Sequence, residues 1–239
     1  MNHYTYLFIL LGALAGPFAL SFDKKVHFYK KWKHVLAAMI LPALFYIVWD
    51  NWFTSAGVWS FNKDYILNIF VYLLPLEEVL FFLVVPYCCL FIYECILSYF
   101  PDIRCTRTAD YALGILGLLL LIAAIIFRDR MYTSVTLVLN AFFIGVLLSC
   151  RSYFKSFHTN AFFISYAIIL IPFMIVNGFL TAIPVVLYND AENLGLRIYT
   201  IPVEDVFYGM LLFGMNVAIY ERLKERISRK YAKEKEDAK

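Results

Sequence analysis

Apolar residues along this chain do not recur on one helical face; they run together in long blocks. Seven predominantly apolar stretches stand out: Tyr4–Leu20, Val35–Trp52, Ile66–Tyr99, Tyr111–Phe127, Met131–Cys150, Ala161–Leu187 and Ile201–Tyr220. Each reaches the roughly 17–25 residues that a membrane-crossing helix needs. A helix that is apolar all round belongs in lipid or in a core. The pattern therefore predicts an all-α integral membrane protein with seven transmembrane helices. Composition agrees, since 62% of the 239 residues are hydrophobic and 19% aromatic. A soluble domain of this length could not hide that much apolar surface. No Lys or Arg precedes the first stretch, so it is expected to stay as a span and not to be cleaved as a signal peptide. Its Gly12 and Gly16 have the spacing of a helix-packing face.

Charge sets the expected orientation. Lys24, Lys25, Lys30, Lys31 and Lys33 follow the first stretch, and Arg104 and Arg107 the third. Arg151 and Lys155 follow the fifth, and a Lys/Arg-rich tail follows Tyr220. The opposite loops hold only Lys63, Arg128, Arg130 and Arg197. Basic loops stay on the cytoplasmic side, which predicts N-terminus out and C-terminus in. The net charge of +3 sits in these loops and the tail. It reads as a membrane-surface anchor, with lipids as partners and no nucleic acid. The cysteines show no metal-ligand spacing, so no metal is expected; Cys88 and Cys89 read as small apolar fillers within a span.

A shift of 127 residues lays Asp50–Glu94 on Asn177–Glu221 without a gap. Identities include Thr54/Thr181, Asn62/Asn189, Tyr72/Tyr199, Pro75/Pro202, Glu77/Glu204 and Glu94/Glu221. Polar identities at one offset are harder to obtain by chance than apolar ones. The same shift places helices 1–3 on helices 5–7. An odd-numbered unit repeated in the same orientation needs one extra crossing, which helix 4 supplies. The expected architecture is a parallel 3+1+3 repeat. Its parts are a first three-helix unit at 1–100, a linker helix at 101–130, a second unit at 131–221 and a tail at 222–239.

Two acidic pairs interrupt the apolar blocks, in "PLEEV" and "PVEDV". Glu78 to Glu94 is 16 residues, as is Asp205 to Glu221. At ~1.5 Å per residue this spans roughly 24 Å, less than the ~30 Å hydrocarbon layer. One acidic end of each helix is therefore expected to be immersed. Glu94 and Glu221 adjoin basic residues (Arg104 and Arg222) and read as interfacial. Glu77, Glu78, Glu204 and Asp205 are the expected buried set, joined at the same depth by Asp50 and Asn177. Helix capping by acids behind a proline accounts for the residue type. It does not account for the immersion or for Asp50 and Asn177. Trp49, Trp52, Trp59, Phe81 and Tyr208 lie near the acids. They suit either an interfacial aromatic belt or a pocket whose π-faces stabilise a carbocation.

The stretches "WDNWFTSAGVWSFN", "PLEEVLFF" and "PVEDVFYG", in that order, resemble the lycopene beta-cyclases of the heterodimeric type. They are similar also to the cyclase half of fungal bifunctional lycopene cyclase/phytoene synthases. The resemblance runs nearly to Glu221 and implies the fused single-chain form. It implies a cofactor-free cyclisation of lycopene to gamma- and beta-carotene, with the substrate taken from the bilayer of the cell membrane and other carotenoid-pathway enzymes as partners. The sequence carries no GxGxxG dinucleotide fingerprint, which sets it apart from flavin-containing cyclases. The reaction needs a carboxylic acid that keeps its proton at neutral pH, which burial favours, and a nearby base. On this reading Glu77 or Glu204 donates the proton, and Glu78, Asp205 and Asp50 tune it or act as base. Asn62, Asn177 and Asn189 orient these groups. The alternative is a small membrane transporter of the sugar-transporter type, which also uses 3+1+3 repeats. Its polar residues would sit at mid-membrane and not toward one leaflet. The last span has no lysine for a retinal Schiff base, and no Asp-rich motif is present to hold Mg²⁺ on a diphosphate.

Overall fold

The computed structural model describes residues 2–103 and 106–237, with side chains through residue 229; Arg104 lies outside the described residues. The described chain forms helices α1 (Thr5–Leu20), α2 (Trp32–Ala56), α3 (Leu76–Tyr99), α4 (Arg107–Ile126), α5 (Met131–Ser149), α6 (Thr159–Ala182) and α7 (Glu204–Asp237). Five of them, α2 through α6, are long and apolar enough to cross a membrane. The protein is thus a multi-pass, mostly helical membrane protein. α1, with 16 residues, rises only about 24 Å.

Two of the expected spans are shorter than the apolar runs that predicted them. The run Ile66–Tyr99 becomes helical only at Leu76, and its first part folds as a hairpin of β2 (Phe70–Val71) and β3 (Leu74–Pro75). The run Ala161–Leu187 leaves the helix after Ala182, and Val186–Tyr188 forms β4. Proline explains both. Pro75 has no N–H to donate and sits at φ −62°, ψ 152° as the residue before α3, and Pro184 follows α6 where a helix cannot continue. Hydrophobicity alone does not distinguish a short buried strand from a helix turn.

The non-helical segments pair with one another. β1 (Trp59–Phe61) runs antiparallel to β4, with Trp59 opposite Tyr188, Ser60 opposite Leu187 and Phe61 opposite Val186. The Asn62 amide donates to the Val185 carbonyl and the Asn189 amide to the Val58 carbonyl, both at 2.9 Å. Exchanging positions 127 apart turns each of these two bonds into the other. The hairpin β5 (Arg197–Ile198) with β6 (Ile201–Pro202) matches β2–β3 in the same way. Both hairpins turn through a tyrosine at φ 60°, Tyr72 and Tyr199, a conformation L-residues rarely adopt. At the starts of α1 and α5 a like pair of bonds has its donors 126 residues apart and its acceptors 127 apart. The Tyr6 amide donates to the Tyr65 carbonyl (3.1 Å), and the Tyr132 amide to the Glu192 carbonyl (2.8 Å).

α1 packs on α3, α2 on α7 and α3, and α5 on α4 and α7. The α4–α5 contact depends on small residues. A Cβ on Gly117 would come within 2.9 Å of Ile144 Cγ2. Gly117→Leu is therefore expected to cost about 1–3 kcal/mol through overpacking, read as a lower melting temperature of the purified protein in detergent. Gly145→Ala on the facing helix meets nothing within 4 Å and should leave the melting temperature unchanged or slightly higher.

Candidate active site

The first turns of α3 and α7 carry the two acidic pairs, and each pair divides its work. Glu77 Oε1 accepts the backbone N–H of Leu67 at 2.7 Å, ten residues upstream. Glu204 Oε1 accepts that of Leu194 at 2.8 Å and the Thr133 hydroxyl at 2.5 Å. Each glutamate thereby closes the loop that carries its hairpin. The Leu76 amide on the Ile69 carbonyl (2.7 Å) and the Val203 amide on the Leu196 carbonyl (3.0 Å) brace the same loops. The second loop is further held by Arg130, whose guanidinium donates to the Asp190 and Ala191 carbonyls at 3.2 and 2.7 Å. Hydrogen bonds from Asn193 and Arg197 hold the Asp190 carboxyl below the usual carboxylate range.

The second acid of each pair turns instead toward a narrow cavity between the helices, about 60 Å³ in volume. Glu78 and Asp205 line it together with Asp50 of α2 and Asn177 of α6. On α3 its lining runs from Glu78 to Cys89, a depth of roughly 16 Å at ~1.5 Å per residue. All three acids are buried: Asp50 is 2% exposed, Glu78 8% and Asp205 3%. Among the described residues, no Lys, Arg or His lines the cavity.

Tyrosine hydroxyls supply the donors, and they are distributed unequally. Tyr6 of α1 donates to Glu78 Oε2 at 2.6 Å, and Tyr208 of α7 to Asp50 Oδ1 at 2.5 Å. Asp205 takes three donors: Tyr132 of α5 on Oδ1, and Tyr188 (2.9 Å) and Asn177 Nδ2 (3.4 Å) on Oδ2. Among the described residues, Glu78 Oε1 and Asp50 Oδ2 have no hydrogen-bond partner. One end of the cavity is donor-poor and the other donor-rich. At the 127-residue offset, Phe61 aligns with Tyr188, Phe81 with Tyr208, and Asp50 with Asn177.

Aromatic rings enclose these groups. Trp59 packs edge-on to Tyr132 at 5.2 Å between centroids, and Tyr132 stacks on Tyr188 at 5.9 Å. Tyr208 packs against Tyr46 at 4.8 Å and Trp49 at 5.0 Å. Among the described residues no group of three or more His, Cys, Asp or Glu side chains could hold a metal ion.

Of the residues singled out from sequence, Asp50, Glu78, Asp205, Asn177, Trp59, Phe81 and Tyr208 are brought together at the cavity. Glu77 and Glu204 are buried beside it; Oε1 of each takes a loop amide, and Oε2 of each has no hydrogen-bond partner among the described residues. Asn62 and Asn189 lie in the loops, where their side-chain oxygens accept the amides of Asp64 and Ala191. Trp49 stands one ring behind the cavity, and Trp52 is half exposed on the outer surface of α2. Tyr6, Tyr132 and Tyr188 were not foreseen. Tyr6 and Tyr132 stand 126 and not 127 residues apart, and the residue 127 before Tyr188 is Phe61. At the other end of the bundle, Glu94 is neutralised not by a sequence neighbour but by Lys31 and Lys224, with the Tyr220 hydroxyl at 2.7 Å.

A family model described as lycopene cyclase matches residues 3–96 and 129–223, most of the chain in two segments. No curated protein and no solved structure matches it.

The loop role of Glu77 has a direct test. Glu77→Ala leaves the Leu67 amide without its acceptor and should lower stability by about 1–3 kcal/mol. Glu77→Gln keeps a carbonyl oxygen in place and should cost markedly less, as judged by thermal unfolding in detergent.

Proposed function

We propose that this chain, which belongs to the lycopene cyclase family, closes the ends of linear lycopene into rings by proton transfer alone. The family makes it an enzyme acting on carotenoids and disfavours the transporter alternative. The observation that carries the mechanism is the unequal supply of donors around three buried carboxyls. Burying three charges together with no cation in the lining is costly, so the cluster holds at least one proton. Among the acids that line the cavity, a carboxyl oxygen with no donor is the one free to carry and deliver it, which points to Glu78, with Asp50 beside it. Asp205, held by Tyr132, Tyr188 and Asn177, is assigned the base that takes the departing proton.

In the reaction, the Glu78 O–H bond breaks and its proton adds to the terminal C=C of the carotenoid, leaving a tertiary cation. The next suitably placed double bond attacks that cation, forming the ring bond and a second tertiary cation. Loss of a proton to a carboxylate restores a double bond in the ring. No electrons are gained or lost overall. Trp59, Phe81 and the tyrosine rings present π-faces to the passing cation, and the Asp205 carboxyl beside them offers electrostatic stabilisation. Glu77 and Glu204 hold the loops through Oε1, and this reading gives them a positioning role. The beta-ring products, gamma- and beta-carotene, require that the proton lost be the one on the ring carbon that carries the polyene chain.

The same reading makes the chain a parallel 3+1+3 duplication in the cell membrane, N-terminus outside and C-terminus inside. It takes its substrate from the bilayer and works beside other carotenoid-pathway enzymes. The paired β1–β4 bonds, the matched glutamate clamps and the two-segment family match support the duplication. The excess of Lys and Arg on one set of loops supports the orientation.

Expression in a bacterium that accumulates lycopene should yield cyclic carotenoids on pigment chromatography; unchanged lycopene beside well-expressed protein would overturn the proposal. Glu78→Gln, Asp50→Asn and Asp205→Asn should each reduce cyclisation by about 10²–10⁴-fold, the usual worth of a general acid or base. Glu94→Gln, normalised to folded protein, should retain activity. Equal activity in all four would remove the acids from the mechanism.

A further inference from the structure

We propose that the linear carotenoid enters the acid cavity sideways from the bilayer, between α1 and α6, with its polyene chain lying in the groove these helices form. This rests on the cyclase reading above. The cavity of about 60 Å³ is smaller than the ~150 Å³ that accommodates a benzene-sized ring. Ring closure there requires side chains to move and a path from lipid.

Two apolar grooves on the outer surface are candidates. One, of about 580 Å³, lies between α1 and α6, with Phe8, Ile9 and Gly12 on one wall and Pro172, Val176 and Phe179 on the other. The second, of about 540 Å³, lies between α2 and α5 and is walled by Phe45, Trp49 and Trp52 against Ser134, Val135 and Val138. They are counterparts: Pro172, Val176 and Phe179 correspond to Phe45, Trp49 and Trp52 at 127, and Gly12 corresponds to Val138 at 126.

Their back walls differ. Behind the α2/α5 groove stands Trp49, buried and packed against Tyr46, Phe53 and Tyr208 at 5.2, 5.5 and 5.0 Å. Behind the α1/α6 groove stands the smaller Val176. A Cβ on Gly12 or Gly16 would meet nothing within 4 Å. α6 belongs to both spaces, with Pro172 and Val176 on the groove and Phe173 and Asn177 on the cavity. On α1, Thr5 and Ile9 line the groove while Tyr6, bonded to Glu78, lines the cavity. Pro172 also leaves the Ile168 carbonyl without its helical donor, which lets α6 bend at the height of the groove. A groove lined mostly by apolar residues, with Asn2 and Thr5 besides, and walled by the helices that carry Tyr6 and Asn177 of the cavity fits a polyene.

The test narrows each groove in turn. Gly12→Phe and Val176→Trp, made in the lycopene-accumulating bacterium, should each lower cyclic product per folded protein by about tenfold or more. Val138→Phe in the α2/α5 groove should leave it within about twofold. Val176→Trp carries the test from the opposite wall should Gly12→Phe not fold. Undiminished product in both α1/α6 variants, as expected if only a lipid acyl chain fills this groove, would overturn the proposal, as would a larger loss from Val138→Phe. A second measurement separates this proposal from the cyclase reading. Protein carrying Glu78→Gln, purified from lycopene-containing membranes, should retain lycopene by absorbance, and adding Val176→Trp should remove it. Lycopene retained by a wild-type chain that forms no rings would sink the cyclase reading and leave the portal standing. Lycopene retained equally by the doubly substituted chain would sink the portal.

Discussion

Backbone that leaves a helix within a membrane protein must find its hydrogen bonds inside the protein, because lipid offers none. This constraint organises the end of the bundle where α3 and α7 begin. The chain between α2 and α3, and again between α6 and α7, is apolar in sequence yet not helical. It is admitted only because its amides are taken up by hairpins, by the β1–β4 pairing and by the Glu77 and Glu204 carboxylates. The carboxylate clamps are the most consequential of these. They fix the start of α3 and α7, and so determine where the next residue on each helix, Glu78 or Asp205, turns inward. Glu77 and Glu78 lie about 100° apart on their helix, enough for one to serve the loop and the other the cavity.

Inside the cavity the same rule acts on side chains. A buried carboxyl must be hydrogen-bonded or hold a proton. The two halves meet this demand differently. Asp205 is satisfied by two phenols and an amide, whereas Glu78 and Asp50 have one phenol each. Positions 127 apart thus differ in chemistry, Phe61 against Tyr188, Phe81 against Tyr208 and Asp50 against Asn177. The far end shows what full neutralisation looks like: Glu94, with two lysines and a tyrosine on it, is locked into the bundle.

The lateral grooves extend the argument outward. Both lie where a helix of one half meets a helix of the other, and both are apolar. Only the depth of the side chains behind them distinguishes them, a valine on one side and a tryptophan on the other. Such a difference of bulk controls whether a hydrophobic chain can pass from lipid to the acids.

Much of this was legible in the linear sequence. The apolar blocks gave every helix, because length and hydrophobicity decide membrane spans, but not every end: α3 begins ten residues inside its block and α7 runs well past Tyr220. The 127-residue offset singled out "PLEEV" and "PVEDV" and placed Asp50 and Asn177 at their depth, since helix rise converts spacing to depth. Composition could not show which acid of each pair faces inward, because that depends on which neighbouring amide needs an acceptor. Identity across the offset singled out Glu77 and Glu204, each with one oxygen on a loop amide, whereas Glu78 and Asp205 line the cavity. Tyr6, Tyr132 and Tyr188 were also hidden, since they reach the acids from other elements 17 to 73 residues away. Sequence by itself determined that buried acids occur twice in a membrane bundle. Only the tertiary structure decided which of them are hydrogen-bonded to backbone and which are left facing a cavity, because hydrogen-bond partners are set by packing between helices and not by spacing along one.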